Sequence, residues 1–174
     1  MKYFVKFFVV TFLLLFYTAV SAEEKIVILD LKYVLNFSKA GKGAQDYLKK
    51  SFNDNAKKFA DMEKTLKKEE QDLLTKKTVL SKEEYAKKSD DLRKKVIDFQ
   101  SQRRASIDKL ATLRSQSRDT LIKSVDPILK AYIDENNISL VIDKKYTLGG
   151  NEGADITNII VEKLNKTLPS LNLK

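Results

Sequence analysis

The chain has 174 residues, with 33 lysines and arginines against 24 acidic residues, and it has no cysteine and no histidine. Without Cys and His it has no disulfide, no zinc site built from those ligands and no Ser-His or Cys-His nucleophile pair. Its Asp and Glu residues are scattered among lysines on a helical pattern, which is typical of solvated helix faces. We therefore expect a binding protein, not an enzyme, with no cofactor and no bound metal.

Residues 1–22 have the three-part layout of a secretory signal peptide. After a short basic start, Phe7 to Val20 is apolar without a charge, and Val20-Ser21-Ala22 offers small residues to a signal peptidase. The apolar run has 14 residues, whereas a membrane-spanning helix needs roughly 20. This favours cleavage after Ala22 over an uncleaved anchor, and it predicts an exported mature chain of residues 23–174 with a net charge of +7.

An apolar stretch at the start of the mature chain predicts a short β-strand. Lys25 to Asp30 reads Lys-Ile-Val-Ile-Leu-Asp, and four consecutive apolar residues favour a strand buried on both faces. Leu31 to Phe37 predicts a helix of one or two turns, after which Gly41 and Gly43 interrupt the chain.

Residues 44–125 contain no glycine and no proline, and their apolar residues follow two heptad seams. Steps that alternate between four and three residues are typical of a coiled coil. Between the seams, Ser81-Lys82-Glu83-Glu84 is a capping box that starts a new helix. The sequence thus predicts an antiparallel helical hairpin over residues 43–125 with a turn near residues 77–81. The seams are Leu48, Phe52, Asn55, Phe59, Met62, Leu66, Glu69, Leu73, Lys76 and Leu80, then Tyr85, Ser89, Leu92, Val96, Phe99, Arg103, Ser106, Leu110, Leu113, Ser117 and Thr120.

The polar residues in these seams have two explanations of equal weight. Either long charged side chains extend from the seam into water while serine fills space, or the arm is flexible because its core is interrupted.

The C-terminal residues predict two more strands and a closing helix. Asp126-Pro127 marks a kink or a restart, because proline cannot donate the helical hydrogen bond. Ile138 to Asp143 is a second strand, and Tyr146 to Leu148 is a third. Asp155 is a good N-cap for a helix over residues 156–168.

The strands at 26–29 and 139–142 come from opposite ends of the mature chain, and we expect them to pair in one sheet. The predicted fold class is therefore α+β and mostly α: a long antiparallel coiled-coil hairpin projects from a small β-rich association body formed by residues 23–42 and 126–174. A core of about 70 residues without disulfides or metal is marginal alone, so we expect a homo-oligomer. The expected association residues are Ile26, Val27, Ile28, Leu29, Leu140, Val141 and Ile142.

The surplus positive charge lies on the hairpin, with a net charge of +2 over residues 43–80 and +5 over residues 81–125. Charged faces that keep a coiled coil soluble explain this about as well as a basic arm that attracts acidic partners. For an exported protein those partners are anionic lipid headgroups or acidic unfolded polypeptides, and nucleic acid is not expected. The basic candidate residues for client or anionic-surface binding are Lys57, Lys58, Lys87, Lys88, Arg93, Lys94, Lys95, Arg103 and Arg104. The apolar candidates are Phe37, Tyr47, Val79 and Ile97.

In their order and spacing, these segments resemble the Skp (OmpH-like) family of periplasmic chaperones over essentially the whole chain. The resemblance is carried by Lys25 to Asn36, Ala40 to Ala44, Leu80 to Glu84, Ile138 to Asp143, and Asp155 through Leu164. It implies a homotrimer whose small bodies associate and whose three helical arms surround a cavity. Unfolded outer-membrane proteins would be held there without ATP before membrane insertion.

The resemblance further implies a periplasmic location, with an anionic membrane surface or lipopolysaccharide as an additional partner. Two other functions remain open on the sequence. One is a periplasmic coiled-coil adaptor for a single folded partner, and the other is a protein that binds anionic membrane surfaces without general chaperone activity.

Overall fold

The computed structural model describes residues 24–173, so the expected signal peptide lies outside the described residues. The elements are β1 (Lys25–Leu29), α1 (Leu31–Phe37), α2 (Lys39–Thr75), α3 (Lys82–Glu135), β2 (Ile138–Asp143) and α4 (Thr157–Thr167). Helices α2 and α3 form a long antiparallel hairpin, and the other elements form a small body with the base of the hairpin. The predicted fold class is confirmed. Within residues 24–173, no helix combines the length and the apolar character that crossing a bilayer requires.

The two strands pair in parallel, and the hairpin is the long connection between them. Ile26 lies beside Leu140 in this register, and side chains on their side of the sheet stay at least partly exposed. Val27 and Leu29, on the other side, are buried in the core. The prediction of a strand buried on both faces is wrong for the single chain, because the helices cover one face of the sheet only.

The core of the body lies between the covered face of the sheet and helices α1, α3 and α4. Val34 of α1 and the α4 residues Ile160 and Leu164 are fully buried, and α3 adds Leu121 and Val125. The spacing of four residues within each of the two longer helices places these side chains on one face. Burial of each such side chain contributes roughly 1.5–3 kcal/mol, so this cluster fixes the base of the hairpin against the sheet.

The start of α4 is attached to β1 by hydrogen bonds. The backbone N–H of Ile156 donates to the Ile28 carbonyl at 3.0 Å, and the N–H of Asp30 donates to Thr157 Oγ1 at 2.8 Å. Ile156 is the N-cap residue of α4 and makes no side-chain cap hydrogen bond. The predicted N-cap Asp155 lies one residue earlier, where its Oδ1 accepts from the Thr157 N–H at 2.9 Å.

The predicted third strand over residues 146–148 is wrong. Lys144–Tyr146 is a single 3-10 turn instead. Asp143 Oδ1 accepts from the Lys145 N–H at 3.0 Å, and the Thr147 hydroxyl donates to the Lys144 carbonyl at 2.9 Å. These local hydrogen bonds compete with strand pairing, and they turn the chain where β2 ends.

Helix α2 begins earlier than expected, so Gly41 and Gly43 lie inside a helix. The buried Ser38 ends α1 and caps α2, with its Oγ accepting from the Gly41 N–H at 3.1 Å. A Cβ at Gly41 would lie only 1.9 Å from the Leu35 carbonyl oxygen. The glycine is therefore required for the close approach of α1 to α2.

Helix α3 runs through Pro127 without a break, so the predicted restart is wrong. Pro127 has no N–H, which leaves the Lys123 carbonyl without its helical partner. The helix persists because residues on both sides of the proline, including Val125 and Leu129, pack against the core of the body. This tertiary packing outweighs one missing hydrogen bond.

The turn of the hairpin lies between α2 and α3, over residues 76–81. The capping box forms as predicted: the Glu84 N–H donates to Ser81 Oγ at 3.2 Å, and the Ser81 N–H donates to Glu84 Oε2 at 3.1 Å. In the seam, the Phe59 and Phe99 rings pack edge to face with centroids 6.0 Å apart.

Three predicted seam positions on the helices are exposed, and neighbouring residues take their places. Ideal helices have 3.6 residues per turn, so the contact stripe drifts relative to a strict heptad repeat. The exposed residues and their more buried neighbours are Phe52 and Ser51, Arg103 and Gln102, and Thr120 and Leu121.

Candidate functional site

The uncovered side of the sheet presents an apolar surface. It consists of Ile26, Ile28, Leu140 and Ile142, hereafter the outer sheet face. Ile26 is 47% exposed and Leu140 is 52% exposed, while Ile28 and Ile142 are partly buried. Apolar residues that are contiguous and exposed on a small body are typical of an interaction surface.

The other three expected association residues point to the inside of the body. Val27 and Leu29 are core residues, at 2% and 5% exposure, and Val141 packs partly against the same core. The alternation of a strand explains this division, because neighbouring side chains point to opposite faces. The sequence alone does not show which side of the sheet faces the core, since all of these residues are apolar.

The outer edge of β2 is a second feature of the sheet. β1 is flanked by β2 on one side and by the Ile28–Asp155 bridge on the other. Within residues 24–173, β2 has a strand neighbour on one side only. Unpaired backbone groups on a strand edge are a template for pairing with another chain.

A charged cluster ties the C-terminal end of the sheet to the start of α4. Lys144 Nζ lies 2.7 Å from Asp155 Oδ2, and this hydrogen bond raises the pKa of Lys144. Burial acts to raise the pKa of Asp155, but the hydrogen bonds from Lys144 and Thr157 together with the Lys144 charge outweigh it and lower that pKa. The backbone N–H of Lys145 lowers the pKa of Asp143 in the same way.

All nine basic candidate residues of the arm are exposed. Three of them form ion pairs: Arg93 with Asp90 at 3.9 Å, Lys94 with Asp91 at 3.9 Å, and Lys95 with Glu69 at 2.7 Å. The first two pairs lie within α3, and the third joins the two helices. These charges are therefore partly neutralised by neighbours.

The other six basic candidates form no ion pair within the described part of the chain; they are Lys57, Lys58, Lys87, Lys88, Arg103 and Arg104. Contact between Phe59 and Phe99 places the 57–58 and 103–104 pairs near the same level of the arm. Consecutive helical residues point about 100° apart, so these four charges form a belt around the arm and do not converge on one patch. The Lys58 ammonium also lies over the Phe59 ring, 5.4 Å from its centroid.

A groove of about 510 Å³ runs between α2 and α3 in the outer half of the arm, hereafter the arm groove. Its floor is formed by half-buried apolar side chains, among them Leu66, Leu73, Leu92 and Val96. The sequence pattern had assigned these residues to the seam alone. Because the seam is narrow and the flanking side chains are long, the same residues serve as both the helix interface and the groove floor.

Five large apolar side chains on the arm are more than half exposed: Phe52, Leu74, Val79, Ile97 and Ile107. Val79 and Ile97 are two of the predicted client-facing residues. The other three were not among the predicted client-facing residues. Phe52 had been assigned to the seam, whereas Leu74 and Ile107 each lie one position after a seam residue.

The remaining two predicted client-facing residues lie near the base of the arm. Phe37 is 49% exposed and stacks on Tyr33 with ring centroids 4.5 Å apart. The Lys42 ammonium lies 5.6 Å from the Phe37 ring centroid. Tyr47 is half-buried.

Comparison with known proteins supports this architecture. The family model described as "Outer membrane protein (OmpH-like)" matches residues 25–164. Among solved structures, the chain is similar to a candidate outer membrane chaperone (OmpH-like) from Caulobacter crescentus, with a TM-score of 0.80 and 16% sequence identity over 88% of this chain and 90% of that one. A search of curated proteins finds no significant match. The family model spans both strands, the whole hairpin and most of α4, and the chain therefore belongs to the OmpH-like family.

Proposed function

We propose that the protein is an ATP-independent periplasmic holdase chaperone, which binds unfolded outer-membrane proteins and prevents their aggregation before membrane insertion. The proposal rests on the exposed apolar side chains of the arm. Large apolar side chains such as Phe52, Ile97 and Ile107 are about 60% exposed along a hairpin that is otherwise highly charged. A surface of this kind offers many weak contacts to an unfolded chain and keeps the complex in solution. The structural neighbour's name, an outer membrane chaperone, agrees with this function.

The location follows from the N-terminal residues. A signal peptide over residues 1–22 would deliver the chain to the periplasm, where unfolded outer-membrane proteins pass. Its removal would leave every described element in place, since β1 begins at Lys25.

The outer sheet face supports association of several copies through the body. A single arm cannot surround an unfolded client, whereas three arms set on one base would enclose a cavity. The exposed Ile26 and Leu140 side chains and the free edge of β2 provide the contact surface. The proposed assembly is a homotrimer, as the family resemblance implies.

Binding and release of a client without ATP are physically consistent with these contacts. Each exposed apolar side chain contributes little alone, so a client exchanges among sites and stays unfolded. The basic belt adds attraction for acidic segments, which acts within a screening length of about 8 Å at physiological salt. Release of a client requires only that its folded state in the membrane is more stable than its complex with the protein.

Light scattering tests the proposal directly. An outer-membrane β-barrel protein unfolded in urea is diluted into buffer with and without residues 23–174. Suppression of scattering at about one trimer per client supports the holdase function. Unchanged scattering at a stoichiometric excess of the protein would rule it out.

Six basic side chains form no ion pair among residues 24–173, and they favour a second candidate function, which is binding to anionic membrane surfaces. It predicts salt-sensitive binding of the client-free protein to vesicles that contain phosphatidylglycerol, and no binding to phosphatidylcholine vesicles. Suppression of aggregation is not required for this function, so the two assays separate the candidates.

A further inference from the structure

A second groove lies on the body, between α3 and α4, and has a volume of about 660 Å³; it is hereafter the body groove. Its floor consists of Pro127, Ile128 and Ala131 of α3 and of Leu168, which follows α4. Pro127 and Ala131 are exposed, while Ile128 and Leu168 are half-buried. The floor is therefore an apolar surface that remains open to solvent, which is typical of a place where another molecule docks.

The rim of the body groove is positively charged. It carries Lys123 of α3 with Lys163 and Lys166 of α4, and none of the described residues that line the groove is acidic. Among residues 24–173, Lys123 and Lys166 form no ion pair. Lys163 Nζ lies 3.5 Å from a carboxylate oxygen of Glu135 and 5.5 Å from the ring centroid of Tyr132. At least two of the three charges are thus unneutralised, and they complement an anionic ligand.

The contacts of Lys163 show how the groove is oriented along α3. Its neighbours Tyr132 and Glu135 place it at the Ala131 end, whereas Lys123 lies at the other end, eight residues earlier on α3 than Ala131. At 1.5 Å per residue the two ends are roughly 12 Å apart. An extended chain rises about 3.3 Å per residue, so a segment of about five residues spans the groove.

The two parts of the groove match the two sides of an extended chain. Neighbouring side chains of a strand point to opposite sides. A segment in which apolar and acidic residues alternate therefore places its apolar side chains on the floor and its carboxylates away from it. Long, flexible lysine side chains on the rim can extend to those carboxylates while their stems stay against the apolar floor.

A backbone acceptor at Pro127 favours a peptide over a fatty acid. Because proline has no N–H, the Lys123 carbonyl one turn earlier has no helical donor, and both residues line the groove. A backbone N–H of an extended peptide can supply that donor. The carboxylate and acyl chain of an ionised fatty acid have no donor to offer.

The body groove stays open when copies associate through the outer sheet face. Helices α3 and α4 cover the opposite side of the sheet and contribute Val125 and Leu164 to the core. Pro127 follows Val125 by two residues, and residues two apart on a helix point about 200° apart. The groove thus lies where α3 turns away from the core, apart from the proposed contact between copies.

We propose that the body groove is a docking site for a partner protein, and that it binds an extended segment of about five residues in which apolar side chains alternate with carboxylates. The site is separate from the arm, to which client binding is ascribed, and from the outer sheet face. The inference therefore goes beyond the proposed function. A partner bound there is attached to the body while the arms remain free.

A short synthetic peptide tests the site. The probe is Asp-Leu-Asp-Leu-Asp with an amidated C-terminus and a neutral fluorophore, and its matched control has Asn in place of each Asp. Fluorescence anisotropy with residues 23–174 should show severalfold tighter binding of the acidic peptide. The difference should shrink as NaCl is added, because salt screens exposed charges. Equal binding of the two peptides would overturn the proposal.

Substitution of the rim lysines locates the site. Lys123→Gln and Lys166→Gln should each weaken binding of the acidic peptide severalfold. The control is Lys109→Gln, which removes the same charge from an exposed position of α3 fourteen residues earlier, roughly 21 Å toward the tip of the arm. An equal effect of all three changes would show attraction by the overall charge of the protein, and the groove would not be the site.

The floor is tested by Ala131→Phe, which fills the groove with a ring from an exposed helical position. Binding of the acidic peptide should fall severalfold. Circular dichroism melts of this variant and of the lysine variants should match wild type, because all of the changed side chains are exposed. A folded Ala131→Phe variant that binds the peptide as wild type does would rule out the floor as the contact surface.

Two further measurements separate this site from other occupants. The Lys123→Gln and Lys166→Gln double variant should suppress the aggregation of an unfolded barrel protein as wild type does. A parallel loss of that activity would show that the groove holds client, which overturns a separate partner site. Laurate that displaces the acidic peptide at a concentration below the Kd of the peptide would assign the groove to a fatty acid instead.

Discussion

At the residue scale, Gly41 determines how closely α1 and α2 approach each other. A Cβ at this position would lie 1.9 Å from a backbone oxygen of Leu35, and a backbone atom cannot move aside as a flexible side chain does. Gly41→Ala is expected to destabilise the protein by about 1–3 kcal/mol, the usual cost of overpacking. Urea denaturation followed by circular dichroism measures the change.

Gly43 is the matched control for this substitution, because it lies in the same helix with nothing within 4 Å of a built Cβ. Gly43→Ala should stabilise α2 by about 0.5–1 kcal/mol, since alanine is the better helix former. Equal destabilisation by the two changes would contradict the close approach assigned to Gly41.

Asp155 gives the body a predictable acid sensitivity. Its pKa is lowered in the folded protein from the ordinary value of 3.8, so its contribution to stability is present above that value. The contribution is lost as the pH falls through the lower, folded-state pKa. The free energy of unfolding, measured by denaturation at several pH values between about pH 2 and pH 6, should therefore fall less steeply with acid for Asp155→Asn than for wild type.

The exposed Asp46 of α2 serves as the control for that experiment. Asp46→Asn is expected to lose stability at low pH in the same way as wild type. A variant at Asp155 with an unchanged pH profile would show that its contacts with Lys144 and Thr157 do not contribute to folding.

At the scale of the element, the capping box determines where α3 starts. Ser81 and Glu84 satisfy each other's backbone N–H groups, and the loss of an N-cap serine typically costs about 1 kcal/mol. Ser81→Ala should therefore increase hydrogen exchange in the first turns of α3. Ser101→Ala, at an exposed position inside the same helix, should not, because alanine favours the helix.

The elements differ in how well the sequence predicts them. Both strands, the turn of the hairpin and the cap at Ser81 were predictable, because they depend on local patterns of apolar and capping residues. The continuity of α3 through Pro127 was not, since it depends on packing against distant parts of the body. The failed third strand at residues 146–148 has a local cause, because the Thr147 N–H donates to the Lys144 carbonyl at 3.1 Å and closes a 3-10 turn where a strand would begin.

For the whole molecule, the orientation of the sheet determines how copies can associate. The sequence identified the apolar strand residues but did not assign their faces, because either face of an all-apolar strand suits a core. The structure places Ile26 and Leu140 on the uncovered side. The same holds for the arm: the sequence shows which residues are apolar, but the position of the arm groove depends on the register between α2 and α3.

A charged residue introduced on the outer sheet face should dissociate the proposed trimer. Ile26→Lys places an ammonium in the proposed contact and is expected to shift the protein from trimer to monomer in sedimentation experiments. Ile159→Lys changes an exposed isoleucine on α4, outside the outer sheet face, and should leave the trimer intact. Dissociation by Ile159→Lys alone would place the contact elsewhere on the body.

The central claim is that several arms on one base hold an unfolded client. Sedimentation velocity of residues 23–174, alone and after addition of an unfolded outer-membrane β-barrel protein, tests it most directly. We expect a trimer that shifts to a single faster-sedimenting complex of one client per trimer. A protein that remains monomeric, or a trimer whose sedimentation does not change while the client aggregates, would contradict it.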